Sequence, residues 1–266
     1  MSNDLIDRLP HVRVISNFGV GLDKIDVAYA KARGIAVGYT PDVLNDCVAD
    51  TAFGNNSAVT VNGTLALAGF SQTIGSLAGS GTVVGGNGTA ATLTLAGNNA
   101  TPSVLTGNIQ NGTTVVSLVK NGAGTQVLAG TSNTYSGTTL INAGILQIGN
   151  SGTTGSIGSG LVTNNASLVL ARSNQVTIST AITGSGTLTQ NGTGIARLTG
   201  NNTYAGTTTI NAGTLMIGDG DIASGVNGSV GAGSISVASG AFLIFNRSTA
   251  LTVSNAISGA GKTKQN

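Results

Sequence analysis

The sequence predicts a mainly β fold: a right-handed parallel β-helix (β-solenoid) of repeats, preceded by a small α/β fragment. Three observations predict it. Residues 55–266 consist almost entirely of Gly, Asn, Ser, Thr, Ala, Val, Leu and Ile, and their only acids are Asp219 and Asp221. Long phrases of this part recur at a nearly fixed offset. Short runs that alternate apolar and polar residues take the place of any helical pattern.

Residues 1–54 predict the α/β fragment, because charged residues and helical spacing are concentrated there. VRVIS (12–16) and IAVGY (35–39) are short β-rich runs, and residues 23–33 between them have helical periodicity. A second helix is expected over 43–53. Strand, helix and strand at this spacing indicate a βαβ unit with a parallel pair of strands.

Residues 55–266 predict the solenoid through internal repetition. Residues 118–149 align with 188–218 at an offset of 70, which falls to 69 after one missing residue, and 157–186 recur loosely as 230–261. Gly, Asn and Ser punctuate the short strands, so each rung can stack on the next with Asn over Asn and Val over Val. A rung of roughly 20–25 residues gives about nine or ten rungs.

Composition excludes several classes of function. The formal net charge is +2, only 8% of residues are charged and 3% are aromatic, so neither a basic stripe nor stacking platforms for nucleic acid are expected. No apolar run reaches the ~18 residues of a membrane span. The first ten residues lack the cations and apolar core of a signal peptide, and Cys47 has no second cysteine with which to form an internal disulfide.

The glycine-rich phrase SNFGVGLDKID (16–26), followed by ARGIAVGYTPDVLNDCVAD (32–50), resembles the D-isomer-specific 2-hydroxyacid dehydrogenases, nearest to glyoxylate/hydroxypyruvate reductases, over about residues 4–54. The resemblance implies that backbone N–H groups around Val20 and Gly21 would face a substrate carboxylate. The cofactor fingerprint and the catalytic residues of that family lie downstream of the matching region, where this chain has repeats without Glu or His. We therefore expect no catalytic and no cofactor-binding residue, and NAD only if the N-terminal family were complete.

The phrases NTYSGTTLINAGILQIG (133–149) and NTYAGTTTINAGTLMIG (202–218) resemble the autotransporter-associated β-strand repeat. This repeat occurs in passenger regions of bacterial type V secreted surface proteins. The resemblance spans about residues 55–266 and implies a cell-surface or secreted location, although the chain itself shows no signal peptide.

Three further features are weighed as sites. AISGAGKT (256–263) formally matches a loose phosphate-loop pattern, but repeat drift explains it better, since a working loop needs a following helix. Asp219 and Asp221 could contribute to a Ca²⁺ site, yet a solvated turn is favoured because Ca²⁺ needs six to eight oxygens. Tyr135 and Tyr204 occupy equivalent repeat positions, which favours packing. No metal-ligand residue is assigned.

The preferred interpretation is an adhesin-like display stalk over residues 55–266, without catalysis, joined near Gly54 to a truncated dehydrogenase-like fragment over residues 1–54. The alternative is an NAD-dependent 2-hydroxyacid oxidoreductase by virtue of that fragment, expected to be inactive. A third possibility is that the chain has no function as one unit, because both ends look cut. The expected partners are surfaces or further copies, through the solenoid ends.

Overall fold

The computed structural model of the chain describes residues 14–17, 26–33, 35–39, 57–86, 88–220 and 227–266. The chain divides into two compact units, Met1–Val48 and Ala49–Asn266. The helix expected over 43–53 and the junction expected near Gly54 lie outside the described residues.

The first unit contains two parallel strands with a helix between them in sequence. Its elements are β1 (Val14–Asn17), α1 (Val27–Ala32) and β2 (Ala36–Tyr39), and the two strands pair in parallel over four residues each. Asp26 caps the helix, because its Oδ1 accepts a hydrogen bond from the N–H of Tyr29 at 2.8 Å. The predicted strand–helix–strand order is confirmed, but the helix has only six residues because it begins after this cap rather than at residue 23.

The second unit consists of short strands. In chain order the first are β3 (Ala58–Thr60), β4 (Thr64–Ala66), β5 (Gln72–Ile74), β6 (Ser76–Ala78), β7 (Thr82–Val84), β8 (Ala91–Leu95), β9 (Ser103–Leu105) and β10 (Asn108–Gln110). The next are β11 (Val116–Lys120), β12 (Thr125–Leu128), β13 (Thr139–Ile141), β14 (Ile145–Ile148), β15 (Val162–Asn164), β16 (Ser167–Leu170), β17 (Val176–Ile178) and β18 (Ile182–Thr183). The last are β19 (Thr187–Gln190), β20 (Ile195–Leu198), β21 (Thr208–Ile210), β22 (Thr214–Ile217), β23 (Ile235–Val237), β24 (Phe242–Phe245), β25 (Ile257–Ser258) and β26 (Lys262–Gln265).

Every pair among these strands is parallel, which confirms the predicted β-solenoid. An eight-stranded sheet has the order β25-β23-β21-β19-β16-β14-β12-β9, a six-stranded sheet runs from β18 to β5, and a five-stranded sheet has the order β17-β20-β22-β24-β26. A three-stranded sheet joins β10, β7 and β4, and β3 pairs with β6. The bridge Gly79↔Leu105 links the β3–β6 pair to the eight-stranded sheet, so ten successive strands mark about ten turns within the described residues.

The length of a turn varies widely along the solenoid. Paired residues are separated by as few as 18 positions, as in Thr64↔Thr82, and by as many as 28, as in Thr214↔Phe242. Extra residues are accommodated at the corners, because the strands themselves keep two to five residues. The predicted rung length and the predicted number of rungs therefore agree with the structure on average, while individual turns fall outside the expected range.

Equivalent segments of the 70-residue repeat occupy different sheets. β11 and β13 belong to the six-stranded sheet, whereas their repeat equivalents β19 and β21 belong to the eight-stranded sheet. In the same way β12 and β14 of the eight-stranded sheet correspond to β20 and β22 of the five-stranded sheet. One repeat thus advances the chain by three turns and one further face. The stacked identical residues are therefore not repeat equivalents of each other, as in the bond from Asn142 Nδ2 to Asn121 Oδ1.

Alternation places apolar side chains inside the solenoid and polar ones outside. Leu146, Leu168 and Leu188 stand in one buried column of the eight-stranded sheet, because their residues pair directly across neighbouring strands. The next residues along two of these strands, Gln147 and Thr189, are half-buried and point outward. Apolar burial along such columns supplies the main stabilising contribution, at about 25 cal/mol per Å² of surface removed from water.

Candidate functional site

The residues that the dehydrogenase resemblance singles out lie outside the described part of the chain. These residues are Val20 and Gly21, the expected contacts to a substrate carboxylate. Their placement by resemblance stays a prediction. Among the described residues of the first unit, β1 precedes Val20 and Gly21 in sequence and α1 follows them.

The segment 256–263, with its phosphate-loop pattern, spans the corner between β25 and β26. Gly259 has φ +106°, and a side chain there would overlap the carbonyl oxygen of Val237. The same corner recurs at Gly79 (φ +106°) and Gly184 (φ +100°), each against a carbonyl of the preceding rung. The segment leads into strand β26 rather than a helix, so it lacks the helix N-terminus on which phosphate loops depend.

Asp219 lies in a tight turn after β22. It is half-buried between Gly218 (φ +85°) and Gly220 (φ +73°), and the N–H of Gly220 donates to Asn246 O at 2.8 Å. Asp221 is outside the described residues. Among the described residues there is no group of three His, Cys, Asp or Glu side chains that could hold a metal ion.

The two equivalent tyrosines are interior packing residues. Tyr135 and Tyr204 are both 0% exposed, and their hydroxyls are 2.8 Å and 2.7 Å from the Oγ1 atoms of Thr139 and Thr208. Burial raises the pKa of both phenols, although these hydrogen bonds act in the opposite direction. The closed environment leaves neither ring exposed to a ligand.

Lys120 is a buried cation that the sequence did not single out. It is the last residue of β11 and is 2% exposed, and its ammonium donates to the carbonyl oxygens of Gly122 and Ala143. Burial lowers its pKa. Gln190, its repeat equivalent, is also buried and donates to Gly192 O at 2.8 Å and Gly194 O at 3.2 Å. Both side chains thus bind carbonyl oxygens of the glycine turns that follow them. The shared sequence K/Q-N-G is the pattern from which these buried contacts could have been predicted.

Gln126 bridges a gap between two rungs. Its Oε1 accepts from the N–H of Leu77 at 3.0 Å, and its Nε2 donates to Leu77 O at 2.7 Å and to Ser103 O at 3.1 Å. The side chain therefore satisfies both backbone groups of a residue in β6, where β6 and β9 are joined only at the bridge Gly79↔Leu105. This role is structural, since the amide is 1% exposed.

Two equivalent arginines hold the longest corners in place. Arg172 donates from Nη1 to Gly155 O at 2.8 Å and from Nη2 to Thr153 O at 2.6 Å. Arg247 donates in the same manner to the carbonyls of Asn227 and Gly228. Their guanidinium groups are committed to backbone oxygens, so they fasten loops of the preceding turn.

A shallow cleft of about 240 Å³ lies beside the second of these corners. It is lined by residues 202–203, 229–232 and 251–255. The cleft contains hydroxyl, amide and aliphatic groups but no titratable side chain. It offers no acid, base or nucleophile beyond hydroxyls for chemistry. None of the helices in the described part of the chain has the length and apolar character needed to cross a bilayer.

Comparison with known proteins finds similarity to two unrelated classes. Hydroxyphenylpyruvate reductase of Plectranthus scutellarioides is 51% identical over 51 residues, 19% of this chain and 16% of that protein. Glyoxylate/hydroxypyruvate reductase A of Arabidopsis thaliana is 54% identical over 50 residues, 19% of this chain and 16% of that protein. The adhesin BmaC autotransporter of Brucella suis is 45% identical over 75 residues, 28% of this chain and 2% of that protein.

The chain therefore spans about a sixth of the two plant reductases and a far smaller share of the adhesin. No solved structure matches it significantly. Both resemblances noted in the sequence are confirmed by these relatives. The family model described as D-isomer specific 2-hydroxyacid dehydrogenase, catalytic domain, matches residues 1–260. Since this match covers nearly the whole length, the chain belongs to the D-isomer specific 2-hydroxyacid dehydrogenase family.

Proposed function

We propose that residues 55–266 act as a mechanical passenger segment, a stiff stalk that displays surface, without catalysis of their own. The observation that carries this proposal is the continuous parallel solenoid of about ten turns. Its buried polar side chains hold the backbone, as Lys120 and Gln126 illustrate. The similarity to the BmaC adhesin supports a bacterial surface or secreted location for such a stalk.

Stiffness follows from the way successive rungs are joined. Each turn is fastened to the next by parallel ladder hydrogen bonds and by buried apolar columns, so bending would have to break several contacts at once. Ten rungs about 4.8 Å apart give the second unit an axial length of roughly 45 Å. Association through the rung edges at β25 and β26 stays a prediction.

Single-molecule pulling of the full chain tests the mechanical role. We expect a series of force peaks, because turns of 18 to 28 residues are released one after another. Each released turn should add about 60–100 Å of contour length. Extension of the described rungs without measurable force peaks would contradict a mechanical role.

A second candidate function is supported by the family match and by the reductase relatives. It is reduction of a 2-oxo acid by NADH through residues 1–54, with Val20 and Gly21 facing the substrate carboxylate. We propose that this activity is absent, because the repeats supply neither a cofactor fingerprint nor the catalytic residues that the resemblance requires.

Purified full-length chain should give no NADH oxidation with glyoxylate or hydroxypyruvate above a protein-free blank. NADH binding should also be undetectable at millimolar cofactor. Turnover that a Gly21→Val substitution abolishes would favour the oxidoreductase instead, since the added side chain would block the expected carboxylate contact.

A further inference from the structure

One outer surface of the five-stranded sheet gathers two exposed lysines, a half-buried arginine and apolar side chains. Its strands β20, β22, β24 and β26 are neighbours, and their register places outward residues in two rows. We call this surface the basic face; its rows are Arg197–Met216–Ile244–Lys264 and Thr214–Phe242–Lys262. The rows alternate with the buried residues Ala196, Leu215 and Leu243, which confirms that they point away from the core.

The basic face is open to solvent. Lys262 and Lys264 are exposed and Phe242 is 38% exposed, while Met216 and Ile244 are half-exposed. Lys262 Nζ lies 6.0 Å from the centroid of the Phe242 ring, at the limit of a cation–π contact. An aromatic ring thus stands beside an ammonium group on this surface.

The charges on this face are not used to hold the fold. The other described cations of the second unit are committed elsewhere: Lys120 in the interior, Arg172 and Arg247 on corner carbonyls. In contrast, Lys262 and Lys264 are exposed, Arg197 is half-buried with its Nε buried and without a hydrogen-bond partner, and strands β20, β22, β24 and β26 contain no Asp or Glu. Half of the six cations of residues 55–266 therefore gather on one face without an acid in its strands.

The dimensions of the face favour a linear polyanion. Lys262 and Lys264 are two residues apart on one strand, about 6.8 Å, and Arg197 is three strands from Lys264, about 14 Å. A flat strip of this size can follow an extended chain.

We propose that the basic face binds an anionic polysaccharide, with carboxylate or sulfate groups on the lysines and Arg197 and the C–H face of a sugar ring on Phe242. The proposal builds on the proposed function, because a display stalk needs a surface that meets a partner. Failure of sugar binding would leave the mechanical role intact. Loss of the force peaks would leave binding by the purified chain intact.

Binding of the full chain to polygalacturonate and chondroitin sulfate tests the proposal, with neutral dextran as the reference. The double variant Lys262→Gln/Lys264→Gln should weaken binding about tenfold, as expected for two exposed ionic contacts. Raising the salt concentration should weaken binding of the parent as well. The matched control, Lys31→Gln/Arg33→Gln, removes two exposed charges from α1 and its cap and should leave binding unchanged.

A second variant, Phe242→Thr, keeps a strand-forming residue and tests the apolar contact. It should weaken binding without altering the circular dichroism spectrum. Equal loss of binding in both charge variants would overturn the proposal. So would equal binding to dextran, or tighter binding to anionic lipid vesicles or single-stranded DNA than to either polysaccharide.

Discussion

Replacing Gln126 by Met is expected to destabilise the solenoid far more than one lost side-chain contact would suggest. Gln126 satisfies both the N–H and the C=O of Leu77, at 3.0 Å and 2.7 Å. Met has a similar length but cannot hydrogen-bond strongly, so both buried backbone groups would lose their partner. Each unsatisfied buried group costs about 1–3 kcal/mol, which gives a loss of about 2–6 kcal/mol in the free energy of unfolding.

The matched control is Gln147→Met. Gln147 stands on β14, the strand next to β12, but it is half-buried and its Nε2 makes one hydrogen bond, to Gly149 O at 2.8 Å. Its replacement should cost only about 0.5–1.5 kcal/mol, the net value of an ordinary hydrogen bond.

Urea unfolding followed by circular dichroism measures both variants, and hydrogen exchange reports the opening of individual rungs. In the Gln126→Met variant the Leu77 amide should exchange faster, along with the other amides of β6 and those of β9. Equal stability of the two variants, together with a protected Leu77 amide, would show that Gln126 does not bridge the rungs.

Three further predictions concern interior groups. Because burial lowers the pKa of Lys120, the unfolded chain binds the proton more tightly, so stability should rise with pH as the solution approaches the ordinary lysine pKa of about 10.4. Lys120→Gln, which copies the repeat equivalent, should flatten that rise in thermal melts, and an unchanged slope would contradict it. Tyr135→Phe removes the hydrogen bond to Thr139 Oγ1 and should lower the free energy of urea unfolding by about 1–2 kcal/mol. An unchanged free energy of unfolding would contradict a hydrogen-bonded Tyr135 hydroxyl. Gly184→Ala should lower the melting temperature, since the positive φ alone costs about 1–2 kcal/mol and the methyl overlaps a carbonyl of the preceding rung; a neutral result would exclude this corner geometry.

The fold was predictable because its rules are local. Alternation along runs such as residues 187–190 predicts which side chains point inward, and glycine marks corners such as Gly184, whose conformation other residues rarely adopt. The βαβ order of the first unit was predictable for the same reason. The start of α1 was not, because Asp26 was read as part of the helix rather than as its cap.

The sites depend on distant partners and were harder to predict. The bonds of Gln126 join residues 49 positions apart, and nothing in the sequence near either residue marks the gap that the amide fills. The sheet to which a repeat segment belongs depends on the lengths of all preceding corners, which vary between turns of 18 and 28 residues. The basic face was missed because Arg197 and Lys264 are far apart in sequence and come to lie in one row only through four stacked strands.

The advance of three turns and one face per repeat has a consequence for how such a chain can lengthen. A tandem duplication of 70 residues does not restore the angular position of its own parent, but rotates the copy by about a third of a revolution around the axis. Any surface feature encoded once per unit is therefore presented in a new direction with each added copy. Growth by duplication would thus wind such features around the rod as a screw, and a third duplication would bring them back to the starting side.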